Sequence, residues 1–123
     1  GEIVYEGTRP KALRNVRLGP ILGAGGRLLG RERDRDSEAV ALVDGTLESG
    51  TVLVAFERNH RIVRYPVTAK GLGAPAGQLT LPGDIKRLSA NRSLESVCVI
   101  AAGALKGAIS LRPPPARAAR ART

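Results

Sequence analysis

The sequence predicts a mainly β protein, a jelly-roll-like sandwich or barrel that is built from two pseudo-symmetric repeats and carries short helical turns. Three observations predict it. One segment of the chain recurs further along, short runs rich in Val, Ile and Thr alternate with Gly and Pro, and the apolar residues are almost all aliphatic. The length of 123 residues fits a single β domain over residues 1–110, followed by a basic Pro/Arg/Ala tail over 111–123.

The repeat is an ungapped alignment of residues 22–50 with residues 79–107, at an offset of 57 positions. A short unit of this kind cannot bury its apolar face alone, so two units are expected to pack together around one core. We therefore expect Val40 and Val97, which are aligned, to be buried on facing walls. Weaker similarity extends the repeat units to 7–50 and 71–107. The identical pairs are Leu22/Leu79, Gly26/Gly83, Arg35/Arg92, Glu38/Glu95, Val40/Val97 and Gly50/Gly107.

Turn-forming residues divide the chain into short segments of high β propensity. The clearest is a linking hairpin over residues 51–69, in which Asn59 and His60 separate two strands and Asn59 supplies the left-handed conformation of a two-residue turn. Pro66 has no backbone N–H, so the second strand is expected at a sheet edge there. The predicted strands are 2–6, 11–18, 39–44, 51–58, 61–69, 78–81 and 96–101, with helical turns at 84–89 and 102–109.

The second copy carries a Gly-rich opening, a Leu-Thr strand, an Asp-Ile step and a basic-Ser step before its buried strand. The residues of this pattern are Gly71, Gly73, Pro75, Leu79, Thr80, Asp84, Ile85, Arg87 and Ser89. With them, residues 71–105 resemble an archaeal family of domains of unknown function. The resemblance implies a mainly β, jelly-roll-like domain of repeated sequence and implies no activity. Where that family carries a His beside its prolines, this chain has Arg9, Ala74 and Leu81, which puts a His-dependent site in doubt.

The formal net charge is +9, and Arg supplies most of it. Arginine suits contacts with phosphate, although an ion-paired surface of a thermostable protein accounts for the composition equally well. The aromatic residues are too few to stack bases, so nucleic-acid binding is expected to go through phosphates. Charges that protect an exposed strand edge are the alternative. The predicted RNA or DNA contacts are Arg58, Asn59, His60, Arg61, Arg64, Arg112, Arg117, Arg120 and Arg122.

A second candidate site consists of Arg–Glu pairs at equivalent positions of the two repeats. They are either ion pairs that brace equivalent loops, which is the interpretation we favour, or parts of one polar site between the repeats. In the first case each Glu lies within reach of an Arg on the surface. The residues of this inter-repeat site are Arg35, Glu38, Asp84, Arg92 and Glu95.

Other chemistry finds little support in the sequence. One His and one Cys exclude the usual zinc ligand sets, and no cofactor is predicted. Asp34, Asp36 and Glu38 alternate, as ligands of a hard cation on one strand face would, but the arginines between them favour a solvated ion-paired loop. The Gly-rich residues 23–30 lack the Lys-Ser/Thr of a phosphate loop and predict a turn.

Together these observations predict a cytoplasmic binding protein with RNA or DNA as its partner and no catalytic residues. The single cysteine excludes an internal disulfide, and no apolar run is long enough for a membrane helix. Two alternatives stay open. One is an enzyme or small-ligand protein with its site between the repeats, and the other is a structural subunit that assembles through strand edges into a homo-oligomer.

Overall fold

The structure is a computed structural model that describes residues 1–89, 96–100 and 109–112, with backbone pairing alone for the last range. The strands of this part of the chain are β1 (Glu2–Glu6), β2 (Arg9–Arg14), β3 (Ser37–Gly45), β4 (Gly50–Phe56), β5 (Arg61–Thr68), β6 (Gly71–Leu72), β7 (Gly77–Gln78), β8 (Ser96–Val99) and β9 (Ile109–Arg112). Two four-residue helices, α1 (Glu32–Arg35) and α2 (Gly83–Lys86), and a 3-10 turn at Ala24–Gly26 accompany them.

All strand pairs are antiparallel and form three sheets in the described residues. β1 pairs with β2, and β8 pairs with β9. The central sheet has the order β3-β4-β5-β6, with β7 also beside β5. β8 packs on β3 and β4, so that one sheet lies on another. The predicted mainly β, sandwich-type fold with short helical turns is confirmed.

The central sheet is buried on both faces at β4 and β5, which explains why Val52–Phe56 is an uninterrupted apolar run. The face towards β8, here called the β8 face, contains Leu53, Ala55 and Ile62. Leu81 and Val97 are buried against it, and Leu79, Ile85 and Val99 pack around them. The opposite face, here called the Tyr65 face, contains Val52, Val54, Phe56, Val63 and Tyr65 and is covered in part by Ile21 and Leu29.

The sequence repeat is visible in the strand pairing. In the first copy Ala39 pairs with Ala55 and Val40 with Val54. In the second copy Ser96 pairs with Arg112 and Val97 with Leu111, and each of these four residues lies 57 positions after its counterpart. The same offset relates Ala41–Leu53 to Cys98–Ser110 and Leu42–Val52 to Val99–Ile109. Both copies therefore form an antiparallel strand pair in the same register.

The expected burial of both aligned valines is wrong for one of them. Val97 is 7% exposed, but Val40 is 64% exposed. Val40 pairs with Val54 and so lies on the Tyr65 face, which leaves it uncovered at β3, whereas Val97 points into the β8 face. The second copy thus packs through its Val97 side on the β8 face of the first copy, while the Val40 side of the first copy points the other way. The two strand pairs are stacked in the same orientation and do not face each other with equivalent sides.

The linking hairpin is present as β4 and β5, but its turn differs from the prediction. The last pair is Phe56–Arg61, so the turn has four residues, and the left-handed residue is Arg58, with φ 50°, instead of Asn59. β5 is also not an edge strand, because β4 flanks it on one side and β6 and β7 on the other. The second ladder is interrupted beside Pro66, between Arg64 and Val67, where a missing N–H does no harm.

Other predicted boundaries shift by a few residues. The strand predicted at 11–18 is Arg9–Arg14, since Asn15 turns the chain with φ 51°. The strand predicted at 78–81 is reduced to Gly77–Gln78, and the turn predicted at 84–89 is the helix Gly83–Lys86. The helical turn predicted at 102–109 lies outside the described residues except for Ile109, which begins β9.

Candidate functional site

A group of charged side chains lies at one end of the central sheet. There α1 leads into β3, β4 ends, and the four-residue turn enters β5. Because Ser37 pairs with Phe56, the residues that flank these two positions are brought together from distant parts of the sequence. The β-sheet thus gathers the acidic residues of the α1–β3 junction and the basic residues of the hairpin turn.

Three carboxylates meet at this end of the sheet and are here called the carboxylate cluster. One carboxylate oxygen from each of Asp36, Glu38 and Glu57 lies within 4.8 Å of the others. The Glu57 backbone N–H donates to the Asp36 carbonyl at 2.8 Å, which fixes β3 and β4 beside each other at this point. Glu38 is exposed, while Asp36 and Glu57 are half-buried. Several carboxylate oxygens in one place are the ligand chemistry of a hard cation such as Ca²⁺.

The cluster corrects the alternating trio expected from the sequence. Asp36 and Glu38 belong to it, but Asp34 does not, because residues 32–35 form the helix α1 and end the strand alternation. Glu57 takes the third place and was not predicted from the sequence. Its signal was its position directly after the buried run of β4, where a charged residue must leave the core.

Asp34 instead anchors the hairpin turn. Asn59 donates through Nδ2 to Asp34 Oδ1 at 3.1 Å, and Arg33 Nε lies 3.6 Å from the same oxygen. The Asn59 hydrogen bond, helped by the charges of Arg33 and Arg61 and opposed by burial, lowers the pKa of the Asp34 carboxyl below its ordinary value of 3.8. Asp34 is therefore ionised at neutral pH and holds the turn as an acceptor.

The arginines of the hairpin tip make contacts within the chain. Arg58 Nε lies 2.9 Å from Asp36 Oδ2, at the border of the carboxylate cluster. The Arg61 guanidinium lies 3.8 Å from the centroid of the Phe56 ring and donates to the carbonyls of Asp34 and Asn59. Burial lowers the pKa of Arg61, although Tyr65 and Asp34 counteract it, and the side chain stays charged.

The three hairpin arginines do not share one face. Arg61 pairs with Phe56 on the Tyr65 face, whereas Arg64 pairs with Leu53 on the β8 face. His60 Nε2 lies 2.7 Å from the Leu88 carbonyl oxygen, which can only accept, so this nitrogen carries the proton and ties the turn to the segment after α2. The turn is thus held in place by side-chain contacts on several sides.

The remaining predicted residues fall partly outside the described part. Arg112 is in β9, whereas Arg117, Arg120 and Arg122 lie outside the described residues. Nucleic-acid binding therefore stays a prediction that rests on the net charge of +9. Two residues of the predicted inter-repeat site, Arg92 and Glu95, also lie outside the described residues. Asp84 is exposed in α2. The ion pairs of the described residues do not include one between Arg35 and Glu38, and Glu38 lies in the carboxylate cluster.

Comparison with known proteins gives a match to a family model. A family model described as "Phytase-like: Esterase-like activity of phytase" covers residues 1–116. Comparisons with curated proteins and with solved structures gave no match. The match agrees with the expected β-rich family, and nothing in it shows an archaeal origin or a family of unknown function. None of the helices in the described ranges has the length and apolar character needed to cross a membrane.

Proposed function

The chain belongs to the phytase-like family, and from that premise we propose that it takes part in the hydrolysis of phosphate esters, with the carboxylate cluster as its site. The observation that carries the proposal is the family match over residues 1–116, whose description joins esterase-like activity to phytase. The cluster is the place in the described chain where side chains suited to such chemistry converge. An enzyme was one of the alternatives that the sequence left open, and we favour it over nucleic-acid binding.

The cluster has a composition that suits metal-assisted hydrolysis of phosphate esters. Asp36, Glu38 and Glu57 would hold a hard divalent cation, and such an ion, when bound, binds phosphoryl oxygens and lowers the pKa of a bound water. Glu38 is exposed, so the cluster can be reached from solvent. Arg58, ion-paired with Asp36, places a fork of donors at the border of the site, where it can contact a substrate phosphate.

The overall charge supports an anionic substrate. With a net charge of +9, the protein attracts phosphorylated molecules from a distance, and a cation in the cluster would offset its local negative charge. Phosphate esters and nucleic-acid phosphates share this long-range attraction. What separates them is the local carboxylate cluster, which would repel phosphate without a cation and would bind it with one.

The experiment is a hydrolysis assay on the purified chain with p-nitrophenyl phosphate and p-nitrophenyl acetate, with Ca²⁺ or with a chelator. We expect phosphate-ester hydrolysis that requires the cation and falls at least about tenfold in Glu57→Gln, since disturbing a metal site costs that much or more. Asp44→Asn, a change at an exposed carboxylate at the far end of β3, serves as the matched control and should leave activity unchanged. Hydrolysis that is insensitive to Glu57→Gln, or its absence under all conditions, would refute the proposal.

A further inference from the structure

Three exposed apolar residues of the first repeat are equivalent to residues of the second repeat that are packed against the central sheet. Leu28, Val40 and Leu42 are 71%, 64% and 41% exposed. Their counterparts in the second repeat, 57 residues later, are Ile85, Val97 and Val99. All three counterparts pack on the β8 face of the central sheet. The first repeat therefore exposes the same three positions through which the second repeat packs on its neighbour.

The receiving surface also has an exposed counterpart. On β3, the small residues Ala39 and Ala41 lie on the β8 face and let the second sheet approach closely. Their counterparts on β8 are Ser96 and Cys98, which are again small. Both are exposed, because they point away from the buried Val97 on the other side of the strand.

The chain thus carries one complete contact between repeats and, on the strands β3 and β8, the equivalent positions of both halves of a second one. In the complete contact, the apolar residues of β8 pack on the small residues of β3. The free halves are the apolar residues of β3 at one side of the stack and the small residues of β8 at the other. The strand pairs that carry the two free halves share the same register over four residue pairs, so Val40 and Leu42 stand in their strand pair as Val97 and Val99 stand in theirs.

We propose that a second copy of this chain docks by continuing this stack, with Val40 and Leu42 of one protomer against Ser96 and Cys98 of the next. The occupant is a second copy because the surface matches a contact that the chain already makes with its own repeat. The interface is head-to-tail, so it closes into a ring or extends as an array. The proposal is independent of the hydrolytic function, because the carboxylate cluster is not part of this surface.

The first test is the oligomeric state of the full chain, measured by sedimentation velocity over a range of protein and salt concentrations. We expect concentration-dependent assembly that salt strengthens, because the net charge of +9 opposes association of like-charged copies. Val40→Glu should abolish assembly and keep the fold, since Val40 is exposed. Leu47→Glu, at a turn residue that is 70% exposed, is the matched control and should assemble as the wild type does. A wild type that stays monomeric, or assembly that survives Val40→Glu, overturns the proposal.

A disulfide trap tests the head-to-tail arrangement itself. Cys98 is the single cysteine and is exposed, so a Val40→Cys variant has only two thiols per chain. Under mild oxidation we expect covalent oligomers that disappear in Val40→Cys/Cys98→Ser, and Leu47→Cys should give far fewer of them. Crosslinking that persists without Cys98 would show β3 packing on β3 of the other copy, and would overturn the head-to-tail interface.

Discussion

Truncation of the two aligned valines should have very different effects on stability, although both are β-strand residues at the same position of the repeat. Val97 is 7% exposed and belongs to the cluster around Leu53 and Ile62, whereas Val40 is 64% exposed. Replacing Val by Ala removes two carbon atoms, and each buried methylene is worth about 0.8 kcal/mol. With the cavity left behind, Val97→Ala should lower the free energy of unfolding by roughly 2–3 kcal/mol. Val40→Ala should change it by less than about 0.5 kcal/mol.

The assay is urea denaturation followed by circular dichroism, at protein concentrations low enough to keep the chain monomeric. With a slope of about 1–3 kcal/mol per molar urea, Val97→Ala should lower the midpoint by about 1 M, and Val40→Ala should leave it nearly unchanged. Equal losses in the two variants would refute the reasoning, because they would mean that the first repeat is covered in the same way as the second.

Three further predictions concern the hairpin and its surroundings. Tyr65→Phe removes the donor of the 2.7 Å hydrogen bond to the Leu22 carbonyl and should lower stability by about 1 kcal/mol in the same assay, while Tyr5→Phe, at an exposed tyrosine, should not. The pKa of Asp34 is lower in the folded state than its unfolded value of 3.8, so the ionised carboxylate stabilises the fold above that pH. This stabilisation is lost as the pH falls through the folded pKa. Asp34→Asn should remove this part of the acid-induced loss of stability. A pH profile unchanged by that substitution would contradict the assignment. Binding to RNA or DNA phosphates predicts a salt slope that falls by about one unit for each hairpin arginine that contacts phosphate when it is replaced by Ala, and an unaltered slope would reject that arginine as a contact. Those arginines are Arg58, Arg61 and Arg64.

The sequence predicted the β fold and the hairpin because both depend on local composition. Val52–Phe56 is continuously apolar, and β5 is rich in β-branched residues, so the strands could be placed within a residue or two. The repeat was also readable from the sequence, and its register in the sheets follows the same offset. The side of each strand that is covered could not be predicted, because Val40 and Val97 are identical residues that differ only in which neighbour lies beside them.

The carboxylate cluster shows the limit of sequence reasoning more clearly. Asp36 and Glu38 are neighbours in the chain, but Glu57 joins them only through the pairing of β3 with β4. The helix α1 removed Asp34 from the expected alternation, and four residues are too few for the helix to have a reliable sequence signal. Similarly, the contacts of Arg58 and Arg61 within the chain depend on a turn whose length differs from the expected two residues.

The most direct test of the proposed function is phosphate release from inositol hexakisphosphate in the presence of Ca²⁺. The wild-type chain should be compared with Glu38→Gln/Glu57→Gln and with the control Asp44→Asn/Glu48→Gln, whose exposed carboxylates lie at the opposite end of β3 and in the adjoining turn. If the carboxylate cluster is the site, wild type and control release phosphate at the same rate, and the first double variant is at least about tenfold slower with an unchanged midpoint of unfolding. Equal rates in all three proteins, or no phosphate release by the wild type, would contradict the account.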